Sequence, residues 1–183
     1  MRKRNSSAKS APGHGGDGQL RIIAGQWRSR QFNFPMAAGL RPTPNRVRET
    51  LFNWLQLELA GAHVLDLFAG SGAYGLEAFS RGAAGGVFVE KNARTTDFIR
   101  QNIAAVCKSL GRPADDLQVV TADATHVMPG EVPDLVFIDP PYEIIREVAP
   151  KLFGRLDELL AVKPDALVVF EMPGQVELSP PGW

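Results

Sequence analysis

The residues Asp139-Pro140-Pro141-Tyr142 follow directly on the apolar run Leu135–Ile138. The run has the length and the β-branched and aromatic character of a buried parallel strand. The prolines end the strand, because neither has an N–H group to donate. A carboxylate and an aromatic ring therefore stand at a strand's carboxyl end, where open α/β sheets bind ligands. This pair would suit a planar base with an exocyclic amino group, although the tetrapeptide alone is equally compatible with a solvated strand terminator.

A glycine-rich turn upstream adds a second binding feature. The short apolar strand Val64–Phe68 runs into Gly70-Ser71-Gly72, and a helical pattern follows as far as Gly82. The N–H groups of such a turn and the helix dipole favour an anionic group. The spacing Gly70-x-Gly72-x-x-Gly75, with Glu90 ending the next strand, matches a dinucleotide fingerprint in which the acid binds a ribose. Strand, turn, helix and acid in this order predict a cofactor that contains adenosine.

Alternating strands and helices position these motifs. We predict strands near residues 64–68, 85–90, 117–121, 134–139 and 166–171. A helix should begin at the N-cap Asn92 and end before Gly111. This alternation predicts an α/β fold with a mostly parallel, twisted sheet, helices on both faces and right-handed crossovers.

The amino-terminal part should form a small β-hairpin and a helix. Leu20–Ala24 and Arg30–Phe34 are predicted to pair as antiparallel strands. The helix is expected at about Arg46–Leu59, and its buried stripe should contain Val47, Leu51, Trp54 and Leu55.

Composition excludes several protein classes. The 183 residues suggest one domain. A single cysteine, Cys107, cannot form an internal disulfide, fits a reducing compartment and is expected to be a buried thiol. No apolar run approaches membrane-spanning length, and no secretory signal is evident, so we expect a cytoplasmic protein without a membrane partner. The scattered histidines, His14, His63 and His126, lack ligand spacing, so no metal is predicted.

Charge is unevenly distributed along the chain. The net charge is zero, but residues 1–50 hold ten Lys or Arg side chains and two acids. A basic section on an acidic body is typical of binding to a phosphate backbone. We expect residues 1–18 to be a disordered basic tail. The hairpin and loop, residues 19–45, should form an extension that binds a phosphate backbone, and residues 46–183 should form the main domain.

Longer motifs carry a family resemblance. Asp66-Leu67-Phe68-Ala69-Gly70-Ser71-Gly72, together with Asp139–Tyr142, resembles S-adenosylmethionine-dependent methyltransferases that act on exocyclic amino groups of bases. Leu40-Arg41-Pro42-Thr43, the segment Arg46–Leu55 and the segment Arg21–Arg28 resemble the RsmD family, guanine-N2 methyltransferases of bacterial small-subunit ribosomal RNA. The likeness runs from about Leu20 to the end of the chain, with the motifs in the family's order.

The resemblance implies a Rossmann-like fold, S-adenosylmethionine as cofactor, and 16S rRNA in the small ribosomal subunit or its assembly intermediate as partner. It implies catalytic roles for Asp139, Pro140, Pro141 and Tyr142. The implied cofactor-binding residues are Asp66, Phe68, Ala69, Gly70, Ser71, Gly72, Glu90, Asp123, Ala124 and Thr43. The RNA-binding candidates are Arg28, Arg30, Arg41, Arg46 and Arg48.

Individual roles follow from the same resemblance. The N–H groups around Gly70, Ser71 and Gly72 would meet the cofactor's carboxylate, and Glu90 would accept from its ribose. Asp123 resembles the family's acceptor for the adenine amino group, but a helix N-cap is an open alternative. Asp66 is expected to order the glycine turn or to face the cofactor amine.

The carboxyl-terminal end departs from the family pattern. Similar proteins continue past the fifth strand into a helix and an antiparallel hairpin that complete a seven-stranded sheet, whereas this chain stops at Trp183. We therefore expect these last strands to be missing and the strand Ala166–Phe170 to be an exposed edge.

Three other functions are compatible with parts of the sequence. A DNA adenine-N6 methyltransferase would share the Asp-Pro-Pro-Tyr motif, but such enzymes usually need an added target-recognition region. A nicotinamide-dependent oxidoreductase would use the glycine fingerprint and leave Asp139–Tyr142 unexplained. A silent RNA-binding module would have little use for Glu90 and Asp139.

Overall fold

The computed structural model describes residues 17–35, 43–111, 114–127 and 130–174, which form seven strands and four α-helices. The strands are β1 Asp17–Arg21, β2 Gln31–Pro35, β3 His63–Asp66, β4 Gly85–Glu90, β5 Leu117–Thr121, β6 Leu135–Ile138 and β7 Leu167–Phe170. The helices are α1 Asn45–Trp54, α2 Ala73–Ser80, α3 Ala93–Leu110 and α4 Ile145–Val162. Asp17 and Gly18, predicted to lie in the tail, belong to β1, while residues 1–16 and 175–183 lie outside the described residues.

The central sheet has five parallel strands in the order β5-β4-β3-β6-β7. Its register places Leu65 of β3 beside Val87 of β4 and Val136 of β6. The chain moves outward from β3 to β5 and then returns to β6 on the other side of β3. The mostly parallel sheet is confirmed, and this reversal creates a crevice at the carboxyl ends of β3 and β6.

Helices cover both faces of this sheet, as predicted. Alternate residues of a strand face opposite sides, and β3 shows this directly: Leu65 joins the core cluster that contains α4, whereas Val64 joins the cluster that contains α1 and part of α2. Phe88 of β4 packs into a third cluster with α2, α3 and the hairpin. Apolar side chains on both faces explain why the strands read as continuous hydrophobic runs.

The strongest helix prediction is also confirmed. Helix α3 begins after Asn92, whose side chain accepts a hydrogen bond from the Thr95 N–H at 3.1 Å. It ends at Gly111, which has a φ of 63° and lies in the left-handed region. Cys107 is buried on this helix, as expected.

The amino-terminal strands pair in antiparallel register from Asp17 opposite Pro35 to Arg21 opposite Gln31. The pairing was predicted, but β1 ends at Arg21 and does not reach Ala24. The reason is a competing acceptor. The N–H groups of Ile23 and Ala24 donate to the buried carboxylate of Glu77 on α2, at 2.8 and 3.0 Å.

The loop of the hairpin is anchored to the last turn of α2. Gly25 has a φ of 82°, and a Cβ atom there would lie 1.9 Å from the Ser80 carbonyl oxygen, so a side chain is excluded. The N–H of Gln26 donates to that carbonyl at 2.7 Å, and the N–H of Trp27 donates to Ser80 Oγ at 2.9 Å. The buried Trp27 ring packs on Phe79 with centroids 5.1 Å apart. The hairpin therefore shares one core with α2 and α3.

Helix α1 differs from the prediction in its length and in its buried face. It ends at Trp54, and both Val47 and Trp54 are exposed. Leu55 is buried and Leu51 is half-buried against the same core cluster, as predicted, but the fully buried residues of α1 are Arg48 and Phe52. Arg48 is fully buried, and hydrogen bonds offset the cost of burying its charge. Its guanidinium donates to the Arg21 carbonyl at 2.8 Å and to Asn45 Oδ1 at 2.8 Å, and it lies 3.4 Å from the Ala73 carbonyl. The prediction that Arg48 contacts RNA is therefore wrong.

The sheet edge at β7 is partly open, with Leu167 exposed and the other three strand residues half-buried. The predicted loss of the strands beyond β7 concerns the chain after residue 174, which lies outside the described residues. Within the described ranges, no helix combines the length and the apolar character that a membrane span requires.

We expect Arg48→Met to lower the free energy of unfolding by about 2–4 kcal/mol, because the backbone carbonyls that Arg48 satisfies would stay buried without donors. Urea denaturation measures this change. The matched control is Arg46→Met, since Arg46 is exposed on the same helix and should change stability by less than about 0.5 kcal/mol. Equal effects of the two substitutions would contradict the assigned role of Arg48.

Candidate active site

A row of carboxylates lies along the carboxyl edge of the parallel sheet. Asp66 ends β3, Glu90 ends β4, and Asp123 stands two residues after β5. Asp139 follows β6 directly, and Glu171 follows β7 directly. The sequence analysis identified the first four and missed Glu171. The available signal was the apolar strand that runs straight into it, the same pattern that singled out Asp139.

Asp66 organises the start of α2. Its Oδ2 accepts a hydrogen bond from the Gly75 N–H at 3.1 Å, as its predicted ordering role requires. A Cβ atom on Gly75 would lie 2.2 Å from the Phe88 ring, so only glycine allows this close approach. The other oxygen, Oδ1, is buried and lacks a hydrogen-bond partner among the described residues. Burial raises the pKa of Asp66 to about 7.

Glu90 ties the glycine turn to the end of β4. Its Oε2 accepts from the Gly70 N–H at 2.9 Å and its Oε1 from the Asn92 N–H at 2.7 Å. The Gly72 N–H donates to the Ala69 carbonyl at 2.6 Å. The expectation that Gly70 and Gly72 present free N–H groups to an anion is therefore corrected, since Gly70 donates to Glu90 and Gly72 donates to the Ala69 carbonyl. Each oxygen of Glu90 keeps a lone pair for a further donor such as a hydroxyl.

Asp123 is the N-cap of the short 3₁₀ turn Ala124–His126, the alternative left open by the sequence. Its Oδ1 accepts from the Thr125 hydroxyl at 2.7 Å and the Thr125 N–H at 3.0 Å. Lys91 Nζ lies 3.1 Å from Oδ2. These bonds, the Thr125 hydroxyl first, hold the pKa of Asp123 well below its usual range. The carboxylate is thus charged and half-exposed at the sheet edge.

Asp139 and Glu171 are joined by two hydroxyl groups. Thr43 Oγ1 donates to Asp139 Oδ2 at 3.3 Å, so the structure brings Thr43 to the site as predicted. The Tyr74 hydroxyl donates to Glu171 Oε2 and lies 3.4 Å from Thr43 Oγ1. The Tyr74 ring is stacked on Phe137 with centroids 5.0 Å apart and an interplanar angle of 14°. Tyr74, which the sequence analysis did not select, therefore links the two carboxylates.

The electrostatic environment gives Asp139 an unusual proton affinity. Burial raises the pKa of Asp139 to about 7, the negative charge of Glu171 adds to the rise, and the Thr43 hydroxyl opposes it. Burial and the bond to Glu171 also raise the pKa of Tyr74, which keeps its hydroxyl protonated and able to donate. Asp139 can therefore accept a proton near neutral pH.

The remaining residues of the Asp-Pro-Pro-Tyr motif differ in exposure. Pro140 is buried, Pro141 is exposed, and the Tyr142 side chain is 51% exposed. On the cofactor side, Ala69, Ser71 and Ala124 are buried and Phe68 is half-buried.

The candidate RNA-binding arginines differ in exposure. Arg28 and Arg46 are exposed and Arg30 is half-buried, so their contact with RNA stays a prediction. Arg41 lies outside the described residues. Across the described ranges, no group of three or more His, Cys, Asp or Glu side chains is arranged to hold a metal ion.

A family model described as Conserved hypothetical protein 95 matches residues 20–182. The chain belongs to this family, the RsmD family. The match confirms the resemblance inferred from Asp66–Gly72, Asp139–Tyr142 and the amino-terminal motifs.

Two relatives illustrate the similarity. Ribosomal RNA small subunit methyltransferase D of Escherichia coli is 45% identical over 133 residues, which are 72% of this chain and 64% of that protein. The protein of the same name from Haemophilus influenzae is 35% identical over 171 residues, which are 91% of this chain and 86% of that protein. The chain thus matches somewhat less than two thirds of the Escherichia coli relative.

Solved structures agree with the fold. A candidate methyltransferase from Escherichia coli has 37% identity and a TM-score of 0.65, covering 83% of this chain and 76% of that one. A candidate methylase from Haemophilus influenzae has 30% identity and a TM-score of 0.64, covering 88% of this chain and 86% of that one. The predicted Rossmann-like methyltransferase fold of this RsmD family member is confirmed.

We expect Asp139→Asn to make the protein more stable than the wild type at about pH 8, by about 1–3 kcal/mol. The folded state binds the Asp139 proton up to about pH 7, while the unfolded chain releases it near its ordinary pKa of about 4. Charging Asp139 therefore costs stability as the pH rises through this window, and Asn removes the cost.

Urea denaturation at several pH values measures this difference, which should shrink steadily below about pH 7 and vanish near about pH 4. Asp115→Asn, at an exposed aspartate, is the control and should show no such trend. A pH-independent effect of Asp139→Asn would contradict the raised pKa.

Proposed function

We propose that this chain methylates the exocyclic N2 amino group of a guanine in 16S rRNA, with S-adenosylmethionine as the methyl donor. The observation that carries the proposal is the carboxylate of Asp139, which follows β6 directly and receives a hydrogen bond from the Thr43 hydroxyl. Strand β6 pairs with β3, the strand that runs into the glycine turn, and the exposed Tyr142 follows Asp139 in the same motif. The names of the relatives, ribosomal RNA small subunit methyltransferase D, support a small-subunit RNA substrate. The small subunit or its assembly intermediate, in the cytoplasm, is the proposed partner.

Residues on the β3, β4 and β5 side of the crevice fit the cofactor. The buried, unpartnered Oδ1 of Asp66 is suited to a cationic amine, which would offset its desolvation. Glu90 and Asp123 would accept from the ribose hydroxyls and the adenine amino group, and Ser71 belongs to the turn beside them. When bound, S-adenosylmethionine supplies an electrophilic methyl group on its sulfonium.

The apolar and small residues of the same side complete the proposed pocket. These are Phe68, Ala69, Gly70, Gly72 and Ala124. Thr43, which donates to Asp139, would close the pocket towards the base.

On the base side, alignment is the main task. The guanine amino lone pair is delocalised into the ring, so the amino group is a weak nucleophile. Asp139 and the Pro140 carbonyl would accept its two hydrogens and direct the lone pair towards the methyl group. Tyr142 would stack on the extruded base.

Proton transfer follows methyl transfer in this mechanism. The amino nitrogen becomes acidic once it carries the methyl group, so no base is needed before attack. Asp139, with its pKa raised to about 7, would then take the proton. Arg28, Arg30 and Arg46 would contact phosphates of the surrounding RNA.

Transfer of labelled methyl from S-adenosylmethionine tests the proposal. The substrates are small ribosomal subunits that lack their own methylation, with naked 16S rRNA and duplex DNA alongside, followed by nucleoside analysis. Label in N2-methylguanosine from either RNA substrate is the expected result. Label in DNA adenine would favour a DNA adenine-N6 methyltransferase, and label in neither would refute methylation of this RNA.

We expect Asp139→Ala to lower the rate of methyl transfer at least about 100-fold, because the amino group loses its acceptor and its alignment. Cofactor affinity, measured by calorimetry with S-adenosylhomocysteine, should change by less than about threefold, since Asp139 is assigned to the base. The control is Asp115→Ala at an exposed site. A parallel loss of cofactor affinity would remove Asp139 from its assigned role.

Tyr142 separates stacking from hydrogen bonding. Tyr142→Phe keeps the ring and should change the rate by less than about threefold, whereas Tyr142→Ala should lower it about 10- to 100-fold, the usual worth of one base–aromatic stack. Single-turnover kinetics on the RNA substrate give both values. Equal losses in the two variants would argue for a role of the hydroxyl and against stacking.

A further inference from the structure

The mechanism above leaves one carboxylate of the crevice without a role. Asp139 and the Pro140 carbonyl account for the two hydrogens of the amino group, and nothing yet uses Glu171. Its Oε2 accepts from the Tyr74 hydroxyl. The second oxygen, Oε1, takes no part in that bond.

Glu171 lies beside Asp139 on the neighbouring strand. The parallel register pairs Ile138 with Phe170, and the Glu171 N–H donates to the Ile138 carbonyl at 2.9 Å, so the pairing continues one step beyond both strands. Adjacent strands lie about 4.8 Å apart, and paired residues project to the same face. Thr43 donates to Asp139 and Tyr74 donates to Glu171, and these two hydroxyl oxygens lie 3.4 Å apart. The crevice therefore offers two acceptors side by side.

The pairing edges of the bases differ in what they present to such a pair. Guanine carries two neighbouring donors, the N2 amino group and the ring N1–H. Adenine carries its N6 amino group next to an N1 lone pair, which is an acceptor. A single carboxylate can bind either amino group and cannot distinguish these bases.

We propose that Glu171 accepts the N1–H of the target guanine and thereby selects guanine over adenine. This inference rests on the proposed methylation of guanine N2, because it places the N2 amino group at Asp139. A base with an N1 lone pair would face a carboxylate that has no donor, and sites built to hydrogen-bond an N–H discriminate strongly against analogues that lack it.

The surroundings of Glu171 support this role. Two carboxylates on neighbouring strands repel each other, and the charge of Glu171 raises the pKa of Asp139. Thr43 and Tyr74 supply only hydroxyl donors to the pair. Asp66, whose pKa is raised in part by the charge of Asp139, is a further carboxyl group near the pair. A ligand edge with two adjacent donors complements this arrangement.

A base analogue provides the test. The target guanosine, located by nucleoside mapping of the wild-type product, is replaced by 2-aminopurine riboside in 16S rRNA built by ligation. This analogue keeps the amino group at C2 but has an acceptor at N1. It also lacks O6, so the informative quantity is the change in the guanine to 2-aminopurine rate ratio between variants.

We expect the wild type to prefer guanine at least about 100-fold, and Glu171→Gln to reduce this preference at least about tenfold, because the Gln amide can donate to the N1 lone pair. Glu171→Ala should slow guanine methylation without a gain on 2-aminopurine, since Ala has no donor. The comparison of Gln with Ala separates loss of charge from gain of a donor.

Three results would overturn the inference while wild-type guanine methylation persists. The first is an unchanged preference in Glu171→Gln. The second is an equal shift in Glu171→Ala. The third is unfolding of both variants, observed by urea denaturation, which would assign Glu171 a structural role beneath Tyr74. Absence of guanine methylation by the wild type would instead refute the proposed function itself.

Discussion

Repulsion among carboxylates is the constraint on which this crevice depends. Five acidic residues end or follow five neighbouring parallel strands, and their charges converge on one edge of the sheet. Backbone N–H groups stabilise the negative charges of Asp66 and Glu90, and Thr125 and Lys91 stabilise that of Asp123. Among the described residues, the hydrogen bonds to the Asp139 and Glu171 side chains come from the hydroxyl groups of Thr43 and Tyr74. The two ends of this sheet edge therefore differ in how fully their carboxylates are hydrogen-bonded. Apart from Asp66 Oδ1, the carboxylates of β3, β4 and β5 are bound by backbone N–H groups, a hydroxyl or Lys91, whereas the Asp139–Glu171 pair can still accept hydrogen bonds from a ligand.

Helix α2 connects this edge to the rest of the molecule. Its Gly75 N–H binds Asp66, and its Tyr74 hydroxyl reaches Glu171. In its last two turns, the side chains of Glu77 and Ser80 accept hydrogen bonds from backbone N–H groups of the hairpin loop. One eight-residue helix thus contacts the crevice, the amino-terminal hairpin and the core. The Arg21–Arg28 motif is explained largely by this attachment, because its glycine and tryptophan fit against α2. The exposed Arg28, which follows Trp27 in this loop, is therefore positioned by the same helix that shapes the crevice.

Local patterns in the sequence were sufficient for most of the fold. Apolar runs predicted the five central strands, and the cap residues Asn92 and Gly111 predicted α3. What the sequence did not show depends on contacts between distant segments. Arg48 reads as an exposed base because its burial requires carbonyl acceptors from Arg21 and Ala73. Tyr74 and Glu171 are 97 residues apart and meet only when β7 packs beside β6. Periodicity carries no information on such pairings, so the buried face of α1 and the contact between Tyr74 and Glu171 could not be predicted.

The Asp-Pro-Pro-Tyr motif also occurs in enzymes that act on adenine, and the pairing of β6 with β7 offers a physical explanation for this. In the proposed mechanism, Asp139 and the Pro140 carbonyl would bind an exocyclic amino group, and guanine and adenine both have one. Chemistry at the amino group can therefore be supplied by β6 alone, whereas the identity of the base depends on the atom next to that amino group. The neighbouring strand is the element placed to read that atom, because parallel pairing sets its first residue beyond the sheet next to Asp139. A donor or an acceptor at position 171 would favour opposite bases. On this reasoning, reaction type and base choice reside on adjacent strands and can vary independently.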